Sequence, residues 1–291
     1  MAQTSLFPLP PQSEIRDQVS FALKEDIGDG DLTASLVDPT RCAQARLVCK
    51  EPAVICGIPW FDAACHLVDQ DLSVVWEIEE GDRFQSDTIV CEIKGRAKSI
   101  LTAERTAINF LQTLSGTATR TAEYVAQVAG TRTRILDTRK TIPGMRMAQK
   151  YAVAVGGGTN HRIGLFDGIL IKENHIAASG SIHEAVNRAR LVAQDTSRCK
   201  FLEVEVESLD QLKEAIDAKV TRIMLDNFDY PMMHQAVEIN NGAAELEVSG
   251  NVEMEDLGEI ARTGVDYVSI GGLTKHLQAT DFSLRMVDGM G

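Results

Sequence analysis

The sequence predicts an α/β protein in which an α+β cap domain precedes a parallel β/α barrel, complete or incomplete. Short apolar or β-branched runs alternate with amphipathic helical patterns in the second half of the chain, which indicates a parallel sheet. After residue 200 the strand centres repeat about every 22 residues, the length of one βα unit. Six or seven such units, with no dinucleotide-binding GxGxxG turn, favour a barrel over a doubly wound sheet.

The first part of the chain has a different pattern. Ser13 is predicted to cap a helix that ends at the glycine turns of 28–30. Short strands separated by glycine and proline are then expected at 44–49, 74–78 and 88–93. A long helical pattern from about 99 to 128, expected to break near Ser115 and Gly116, leads into the barrel.

The barrel strands are predicted from the apolar runs, and helical spacing of apolar residues fills the gaps between them. The expected strands lie at 133–137, 168–172, 201–206, 222–226, 245–249 and 267–271. We place the N-terminal domain at 1–115 and the barrel at 116–275. The tail, 276–291, is expected to pack back on the N-terminal domain through Phe282, Leu284 and Met286.

Composition limits the classes of function. The chain has 291 residues, 44% hydrophobic and 24% charged, as in soluble globular proteins, and its net charge of −13 argues against nucleic acid or anionic membrane as a partner. It contains no run of about 18 apolar residues, and its first ten residues do not resemble a signal peptide. The six cysteines form no CxxC pair and suit reduced thiols, so we expect a cytoplasmic protein.

Positive charge is concentrated in one segment. Between Arg132 and Lys172 there are eight Lys/Arg and two acidic residues, a local charge of +6, which leaves −13 − 6 = −19 for the rest of the chain. Because this segment is interleaved with glycine and apolar residues, we interpret it as a pocket for small polyanions. The alternative is a solvated basic face.

Residues at the carboxyl ends of the predicted strands carry the candidate chemistry, because that face of a β/α barrel forms active sites. They are Arg139, Lys140, Lys172, Glu205, Asp226, Ser249, Gly250, Asn251, Gly271 and Gly272. The two carboxylates suit Mg²⁺, and the small residues of the last two loops suit a phosphate group. The basic residues suit a second substrate that carries carboxylates, held by planar Arg groups.

Each of these residues also has a structural interpretation. Asp226 and Ser249 are alternatively helix N-caps, and Glu205 is alternatively solvated, because acidic residues alternate along its strand. Lys172 is alternatively a packing lysine or a Schiff-base lysine as in barrel aldolases. The glycines of 156–158 form either a phosphate loop or a close-approach turn, and single histidines such as His161 and His175 are more often structural.

Several motifs together resemble the quinolinate phosphoribosyltransferases, also called decarboxylating nicotinate-nucleotide pyrophosphorylases. The central ones are LDTRKTIPGMR (136–146), KYAV (150–153), GGGTNHR (156–162) and LIKENH (170–175). The others are LKEDIGDGD (23–31), ERTAIN (104–109), EVE (203–205), LDNF (225–228) and SGN (249–251). They occur in order over nearly the whole chain.

The resemblance implies an N-terminal α/β sandwich domain followed by an open, incomplete parallel β/α barrel. It implies phosphoribosyl transfer from 5-phosphoribosyl 1-pyrophosphate to quinolinate, with decarboxylation to nicotinate mononucleotide and with Mg²⁺, in NAD biosynthesis. The matching substrate positions are Thr138, Arg139, Lys140, His161, Arg162 and Lys172 for quinolinate and pyrophosphate, and Ser249, Gly250, Asn251, Ile270, Gly271 and Gly272 for the 5′-phosphate.

The same resemblance implies that Glu205 and Asp226 hold ribose hydroxyls and the metal, and we expect them to be catalytic together with Lys140 and Lys172. Arg105 matches a residue that a neighbouring subunit lends to the quinolinate pocket. A homodimer, or a hexamer built as a trimer of dimers, is therefore expected.

Three other functions remain open from the sequence. A barrel aldolase or decarboxylase would use Lys172 as a Schiff base, and a relative of the same family would act on another acceptor, for instance in molybdenum transport. A carrier or binding module is the third, because Glu80-Gly-Asp82 resembles a turn of a lipoyl-type sandwich. No lysine lies in a tight hairpin there to be modified.

Overall fold

The structure, a computed structural model, describes residues 9–287. The chain divides into two compact units. Unit 1 comprises the described parts of Met1–Ala122 and His276–Gly291 together with Ile142–Gly157, and unit 2 comprises Glu123–Thr141 and Gly158–Lys275. The sequence-based division differs in that it ended the first domain at 115 and assigned 142–157 to the barrel. Residues 1–8 of the N-terminal stretch and 288–291 of the tail lie outside the described residues.

Unit 1 is built on a four-stranded antiparallel sheet with the order β12-β1-β5-β3. Its strands are β1 (Cys42–Cys49), β2 (Ala53–Val54), β3 (Ser73–Trp76), β4 (Arg83–Phe84), β5 (Thr88–Arg96) and β12 (Phe282–Met286). Its helices are α1 (Gln12–Ile27), α2 (Ile58–Val68), α3 (Ala97–Gln127, which continues into unit 2) and α4 (Arg146–Val155), with a 3₁₀ turn at Ala34–Leu36. The tail reaches this unit as β12, paired antiparallel with β1. Trp60, Leu47 and Ile108 are fully or almost fully buried in one apolar core.

Two helix predictions in unit 1 were wrong in detail. Helix α1 begins at Gln12 after Pro11, so Ser13 lies inside the helix and does not cap it. Helix α3 runs unbroken through Ser115 and Gly116. The side chain of Ser115 accepts a hydrogen bond from the Cys56 backbone N–H (3.0 Å), and a Cβ at Gly116 would meet the carbonyl oxygen of Gln278 at 2.1 Å. These small residues therefore allow close packing against the helix and do not break it.

Unit 2 contains a six-stranded, all-parallel sheet with the order β6-β11-β10-β9-β8-β7. Its strands are β6 (Arg134–Leu136), β7 (Ile169–Ile171), β8 (Leu202–Val206), β9 (Arg222–Asp226), β10 (Glu245–Ser249) and β11 (Tyr267–Ser269). Its helices are α5 (Glu173–Ser179), α6 (Ile182–Gln194), α7 (Leu209–Asp217), α8 (Tyr230–Asn240), α9 (Leu257–Arg262) and α10 (Gly272–Lys275), with a 3₁₀ turn at Met254–Asp256. Because β6 and β7 are the outer strands, the sheet does not close, and the open parallel barrel is confirmed.

The two faces of this sheet differ in chemistry. On one face the central strands bury apolar residues such as Val204, Ile223 and Val248. Most of the residues that alternate with these are polar or charged, among them Glu203 and Glu247, both fully buried, while Met224 is apolar. Because strands of a parallel sheet are ordinarily apolar on both faces, a charged face inside unit 2 marks the place where function is expected.

In the described residues no helix has the length and apolar content needed to cross a membrane. All six cysteines are free thiols.

Candidate active site

The carboxyl edge of the parallel sheet brings the predicted residues to one end of unit 2. Thr138, Arg139 and Lys140 directly follow β6, and Lys172 directly follows β7. Glu205 is the penultimate residue of β8, and Asp226 and Ser249 are the last residues of β9 and β10. Ile270 and Gly271 follow β11, and Gly272 begins α10. The neighbouring strands are in register, with Asp226 opposite Ser249.

Two carboxylates and a lysine form the centre of this edge. The Nζ atom of Lys172 lies 2.5 Å from Oε2 of Glu205, which is 8% exposed. Burial raises the pKa of Glu205, Lys172 opposes this shift, and the negative charge of Asp226 adds to it. The two carboxylates are therefore close enough to repel each other, and a bound cation would relieve that repulsion.

Two arginines supply positive charge beside these carboxylates. Burial lowers the pKa of Arg162, and the positive charge of Arg139 lowers it further, which places the two guanidinium groups within each other's field. Arg162 is anchored by a hydrogen bond from its NH1 group to the carbonyl oxygen of Gly168 (3.1 Å). Two cations held near each other at a half-buried position favour a ligand with more than one negative charge. We call Arg139, Arg162, Lys172, Glu205 and Asp226 the outer charged group.

Glycines shape the two loops at the ends of β10 and β11. Gly250 has φ +106°, and a Cβ there would lie 2.2 Å from the side-chain oxygen of Asn227. A Cβ at Gly271 would lie 2.9 Å from Cδ of Lys140, so the loop after β11 packs directly against that lysine. Thr274 of α10 also contacts this lysine, because its hydroxyl donates a hydrogen bond to the carbonyl oxygen of Lys140 (2.8 Å).

A second charged cluster lies two residues earlier on the same face of the sheet, with Glu203 before Glu205 in β8 and Glu247 before Ser249 in β10. His161 Nε2 lies 2.8 Å from Oε2 of Glu203 and 3.5 Å from Oε2 of Glu247. Arg222 places NH2 3.2 Å from Glu247 and Nε 3.5 Å from Glu203, and its guanidinium stacks over Tyr267 at 4.4 Å from the ring centre. We call His161, Glu203, Arg222 and Glu247 the inner polar cluster.

Burial controls ionisation in the inner polar cluster. It raises the pKa of Glu247 to about 8, and the charge of Glu203 contributes in the same direction. Burial also raises the pKa of Glu203, opposed by Arg222 and by a hydrogen bond with Glu247. Both carboxyl groups therefore bind a proton more readily than an exposed glutamic acid does, and one proton on the pair, together with Arg222, would leave the cluster close to neutral.

His161, Glu203 and Glu247 offer three potential metal-ligand atoms within 4.8 Å of one another. The Arg222 guanidinium already supplies positive charge at this place, so a divalent cation would have to displace it.

Residues that the sequence did not single out as functional connect the two groups. Asp137, fully buried at the end of β6, accepts hydrogen bonds from the His161 backbone N–H (2.8 Å) and the Asn160 side chain (2.7 Å). Glu247 contacts His161, and Arg222 contacts Glu247, so both residues extend the same network. An alternating charged face on predicted parallel strands was the signal in the sequence that could have identified them.

Several structural interpretations are now decided. Helix α8 is capped by Asp229 and the 3₁₀ turn after β10 is preceded by Glu253, so neither Asp226 nor Ser249 is an N-cap. Glu205 is buried and not solvated. A Cβ at Gly156 would meet the carbonyl oxygen of Ala118 at 2.4 Å, which supports the close-approach turn.

His175 accepts a hydrogen bond from the Lys172 backbone N–H (3.0 Å) at the start of α5, a structural role. Arg105 lies exposed on α3 in unit 1, with Glu104 as an ion-pair partner at 3.9 Å.

Comparisons with known proteins cover most of this chain. The family model for the quinolinate phosphoribosyl transferase C-terminal domain matches residues 117–285, and the N-terminal domain model matches residues 31–115. A quinolinate phosphoribosyltransferase (decarboxylating) of Nicotiana glauca is 38% identical over 96% of this chain and 84% of its own length. A probable nicotinate-nucleotide pyrophosphorylase (carboxylating) of Bacillus subtilis is 39% identical over 93% of each chain. The structure of the nicotinate-nucleotide pyrophosphorylase from Francisella tularensis is similar with a TM-score of 0.92 and 44% identity, over 95% of this chain and 97% of that one.

Proposed function

This chain belongs to the quinolinate phosphoribosyltransferase family, and on that premise we propose its reaction and the roles of its residues. It transfers the phosphoribosyl group of 5-phosphoribosyl 1-pyrophosphate to quinolinate and releases pyrophosphate and CO₂. The product is nicotinate mononucleotide, a precursor of NAD. The observation that carries this proposal is the outer charged group, which places arginine and lysine beside two carboxylates at the carboxyl edge of a parallel barrel.

The basic residues of the site match the negative charges of the two substrates. Arg139 and Arg162 are assigned to the quinolinate carboxylates, because planar guanidinium groups pair with carboxylates through two hydrogen bonds. The sequence also placed His161 among the substrate-binding residues, but both of its ring nitrogens contact protein groups, so we assign it to support of Arg162. Lys140 and Lys172 are assigned to the pyrophosphate and to the adjoining carboxylate of quinolinate. Their charge favours departure of pyrophosphate from C1 of the ribose, where the pyridine nitrogen then bonds.

Loss of CO₂ follows from the charge that this bond creates. The ring nitrogen of the bound mononucleotide is cationic and stabilises the electron pair that stays on ring carbon C2 when the 2-carboxylate departs as CO₂. A proton then adds to C2. The side chains of the site position and neutralise the reactants, and no covalent nucleophile is needed. The ion pair of Lys172 with Glu205 at 2.5 Å supports a role for this lysine in neutralising charge.

The ribose-phosphate part of the substrate is assigned to the remaining strand ends. Glu205 and Asp226 are assigned to the ribose hydroxyls, and the loops Ser249–Asn251 and Ile270–Gly272 to the 5′-phosphate. The crowding at Gly250 and Gly271 supports these loops as places where backbone approaches another group closely.

We propose Mg²⁺ as the cofactor, held by Glu205 and Asp226. These residues fit the ion because their mutual repulsion contributes to the raised pKa of Glu205 and because Mg²⁺ binds few carboxylates together with substrate oxygens. When bound, the ion supplies further neutralisation of the pyrophosphate. We expect activity to disappear in excess chelator and Asp226→Ala to impair use of 5-phosphoribosyl 1-pyrophosphate. Full turnover in chelator would contradict the metal assignment.

We also propose a homodimer, or a hexamer of three dimers, in which Arg105 enters the neighbouring subunit's quinolinate site. The exposure of Arg105 on α3 supports its availability to another chain. Mixing inactive Arg105→Ala chains with inactive Lys172→Ala chains tests this. Random exchange should restore about a quarter of the sites, because half of the dimers are mixed and each has one intact site. Verified exchange without recovered activity would contradict a shared site.

The deciding experiment is an assay for nicotinate mononucleotide from quinolinate and 5-phosphoribosyl 1-pyrophosphate, with nicotinate as the control acceptor. Turnover of quinolinate but not of nicotinate supports the proposal. Turnover of another acceptor in place of quinolinate indicates a relative with changed specificity. Borohydride trapping at Lys172 would favour the aldolase alternative. A cytoplasmic location belongs to the same proposal and is supported by the six free thiols.

A further inference from the structure

We propose that Glu203, Glu247 and Arg222 are positioning residues, which hold His161 as the neutral Nε2–H tautomer and through it fix Arg162 for its anionic ligand. The inference rests on the proposed function only in taking quinolinate as that ligand. Its physical basis is the hydrogen-bond pattern of the inner polar cluster.

The two nitrogens of His161 have opposite roles. The backbone N–H of Arg162 points at Nδ1 of His161 at 2.8 Å, so Nδ1 must accept. Nε2 lies 2.8 Å from the Glu203 carboxylate, which accepts, so Nε2 must carry the proton. A protonated imidazolium would present N–H groups to both neighbours and lose the contact with Arg162. Only the neutral Nε2–H tautomer satisfies both contacts.

The carboxyl groups behind His161 maintain this state. Oε2 of Glu203 lies 2.8 Å from Nε2 of His161 and Oε2 of Glu247 lies 3.5 Å from it, so Glu203 is the nearer acceptor for the Nε2 proton. The raised pKa of Glu247 is consistent with this arrangement, because a protonated Glu247 leaves Glu203 as the accepting carboxylate. Arg222, with its guanidinium 3.2 Å from Glu247, balances the remaining charge.

The contact with Arg162 carries this arrangement to the outer charged group. Asp137 holds the backbone N–H of His161 at 2.8 Å, so ring and backbone of this residue are both fixed. Arg162 is then held at its backbone by Nδ1 of His161 and at its guanidinium by the Gly168 carbonyl oxygen. A preorganised guanidinium loses less conformational entropy when it pairs with a carboxylate.

The variant Glu203→Gln separates positioning from packing, because it keeps the size of the side chain. If the amide oxygen of the variant faces His161, its NH₂ group faces the Arg222 guanidinium, which is also a hydrogen-bond donor. If the NH₂ group faces His161 instead, the ring must change tautomer, and Nδ1 can no longer accept the hydrogen bond from the Arg162 backbone N–H. We expect the Kd for quinolinate to rise roughly tenfold or more, as for loss of one charge-assisted hydrogen bond, with the Kd for 5-phosphoribosyl 1-pyrophosphate nearly unchanged.

Two further variants serve as controls. Glu247→Gln should retain quinolinate affinity much better, because its amide N–H can donate to Glu203 as the protonated carboxyl does. Glu207→Gln, at an exposed position just beyond β8, should change nothing.

The measurements are calorimetry for both ligands and ¹⁵N NMR of the histidine rings of the intact protein, with the His161 signals assigned by their loss in His161→Asn. We expect His161 of the ligand-free wild type to be the neutral Nε2–H tautomer from pH 6 to pH 8. A cationic ring, an Nδ1–H tautomer, or an unchanged Kd for quinolinate in Glu203→Gln would overturn the inference. Should Glu203→Gln not fold, the wild-type tautomer decides. A wild type that does not bind quinolinate contradicts the proposed function and leaves the tautomer result to decide this inference by itself.

Discussion

The inner polar cluster and the outer charged group use the same residue types on the same face of one sheet, yet they differ in how their charges are balanced. In the inner polar cluster two carboxyl groups, a histidine and an arginine pair with one another, and Glu203 and Glu247 are fully buried. In the outer charged group like charges face each other, with Arg139 beside Arg162 and Glu205 beside Asp226.

This difference indicates what each group is for. A buried cluster of paired opposite charges adds rigidity, whereas the outer charged group, with three basic residues and two acidic ones, suits an anionic ligand. Two residues along strand β8, from Glu203 to Glu205, separate the residue that we propose supports the site from the one that we propose binds substrate. The comparison predicts different consequences for substitutions in the two groups.

Substrate choice should show the largest effect, and it belongs to the outer charged group. Nicotinate lacks the 2-carboxylate of quinolinate, so its binding would leave a desolvated guanidinium unpaired. A site built around a polar group rejects an analogue that lacks it by roughly 10⁴-fold. We therefore expect kcat/KM for quinolinate to exceed that for nicotinate by about this factor.

The arginines should account for that preference. Calorimetry of Arg139→Ala and Arg162→Ala should show loss of quinolinate binding, and lysine at either position should restore little, because a point charge cannot make the two-pronged contact. Alanine variants that bind quinolinate as wild type does would show that the pocket lies elsewhere.

Removal of one cation from each group should separate stability from activity. Arg222→Ala leaves buried carboxyl groups without their partner and should lower the free energy of unfolding by about 3–5 kcal/mol. Lys172→Ala removes a side chain that is 44% exposed and should cost less than about 1 kcal/mol, while kcat/KM falls about 10²- to 10³-fold. Urea denaturation and steady-state kinetics of both variants measure these effects, and equal losses of stability would refute the division into two groups.

The sequence predicted the outer charged group better than the inner one for a physical reason. Strand-end residues follow from strand positions alone, because parallel strands present their carboxyl ends at one edge, and Lys172, Glu205 and Asp226 lie there. The partnership of His161 with Glu247 depends on strand order and register, which strand patterns do not contain. The supposed break at Gly116 failed similarly, because the glycine accommodates the Gln278 carbonyl from a distant segment.

Backbone substitutions in the loop after β10, which we propose binds the 5′-phosphate, should have intermediate effects. Gly250→Ala combines φ +106° with a Cβ 2.2 Å from Asn227, so we expect a cost of about 1–3 kcal/mol in unfolding and a higher KM for 5-phosphoribosyl 1-pyrophosphate. The matched control is Gly258→Ala in helix α9, where a Cβ meets only Arg262 at 3.9 Å and should add up to about 1 kcal/mol. A Gly250→Ala variant as stable and active as the control would remove the argument for a close approach in this loop.

The effect that needs no loss of activity is a change in how stability depends on pH, and it tests the inner polar cluster. Folding raises the pKa of Glu247 from its ordinary 4.5 to about 8, so the folded protein binds more protons than the unfolded chain between these values. Stability contributed by this proton is complete below about pH 4.5 and is lost as pH rises through about 8, with a slope of at most about 1.4 kcal/mol per pH unit.

Glu247→Gln has no proton to lose, and its amide can still donate to Glu203. The stability of the variant relative to wild type should therefore increase from pH 5 to pH 8 in urea denaturation, whereas the exposed control Glu207→Gln should parallel wild type. Parallel curves for Glu247→Gln and wild type would mean that the two buried carboxyl groups do not share a proton, and the inner polar cluster would then carry an uncompensated charge like the outer one.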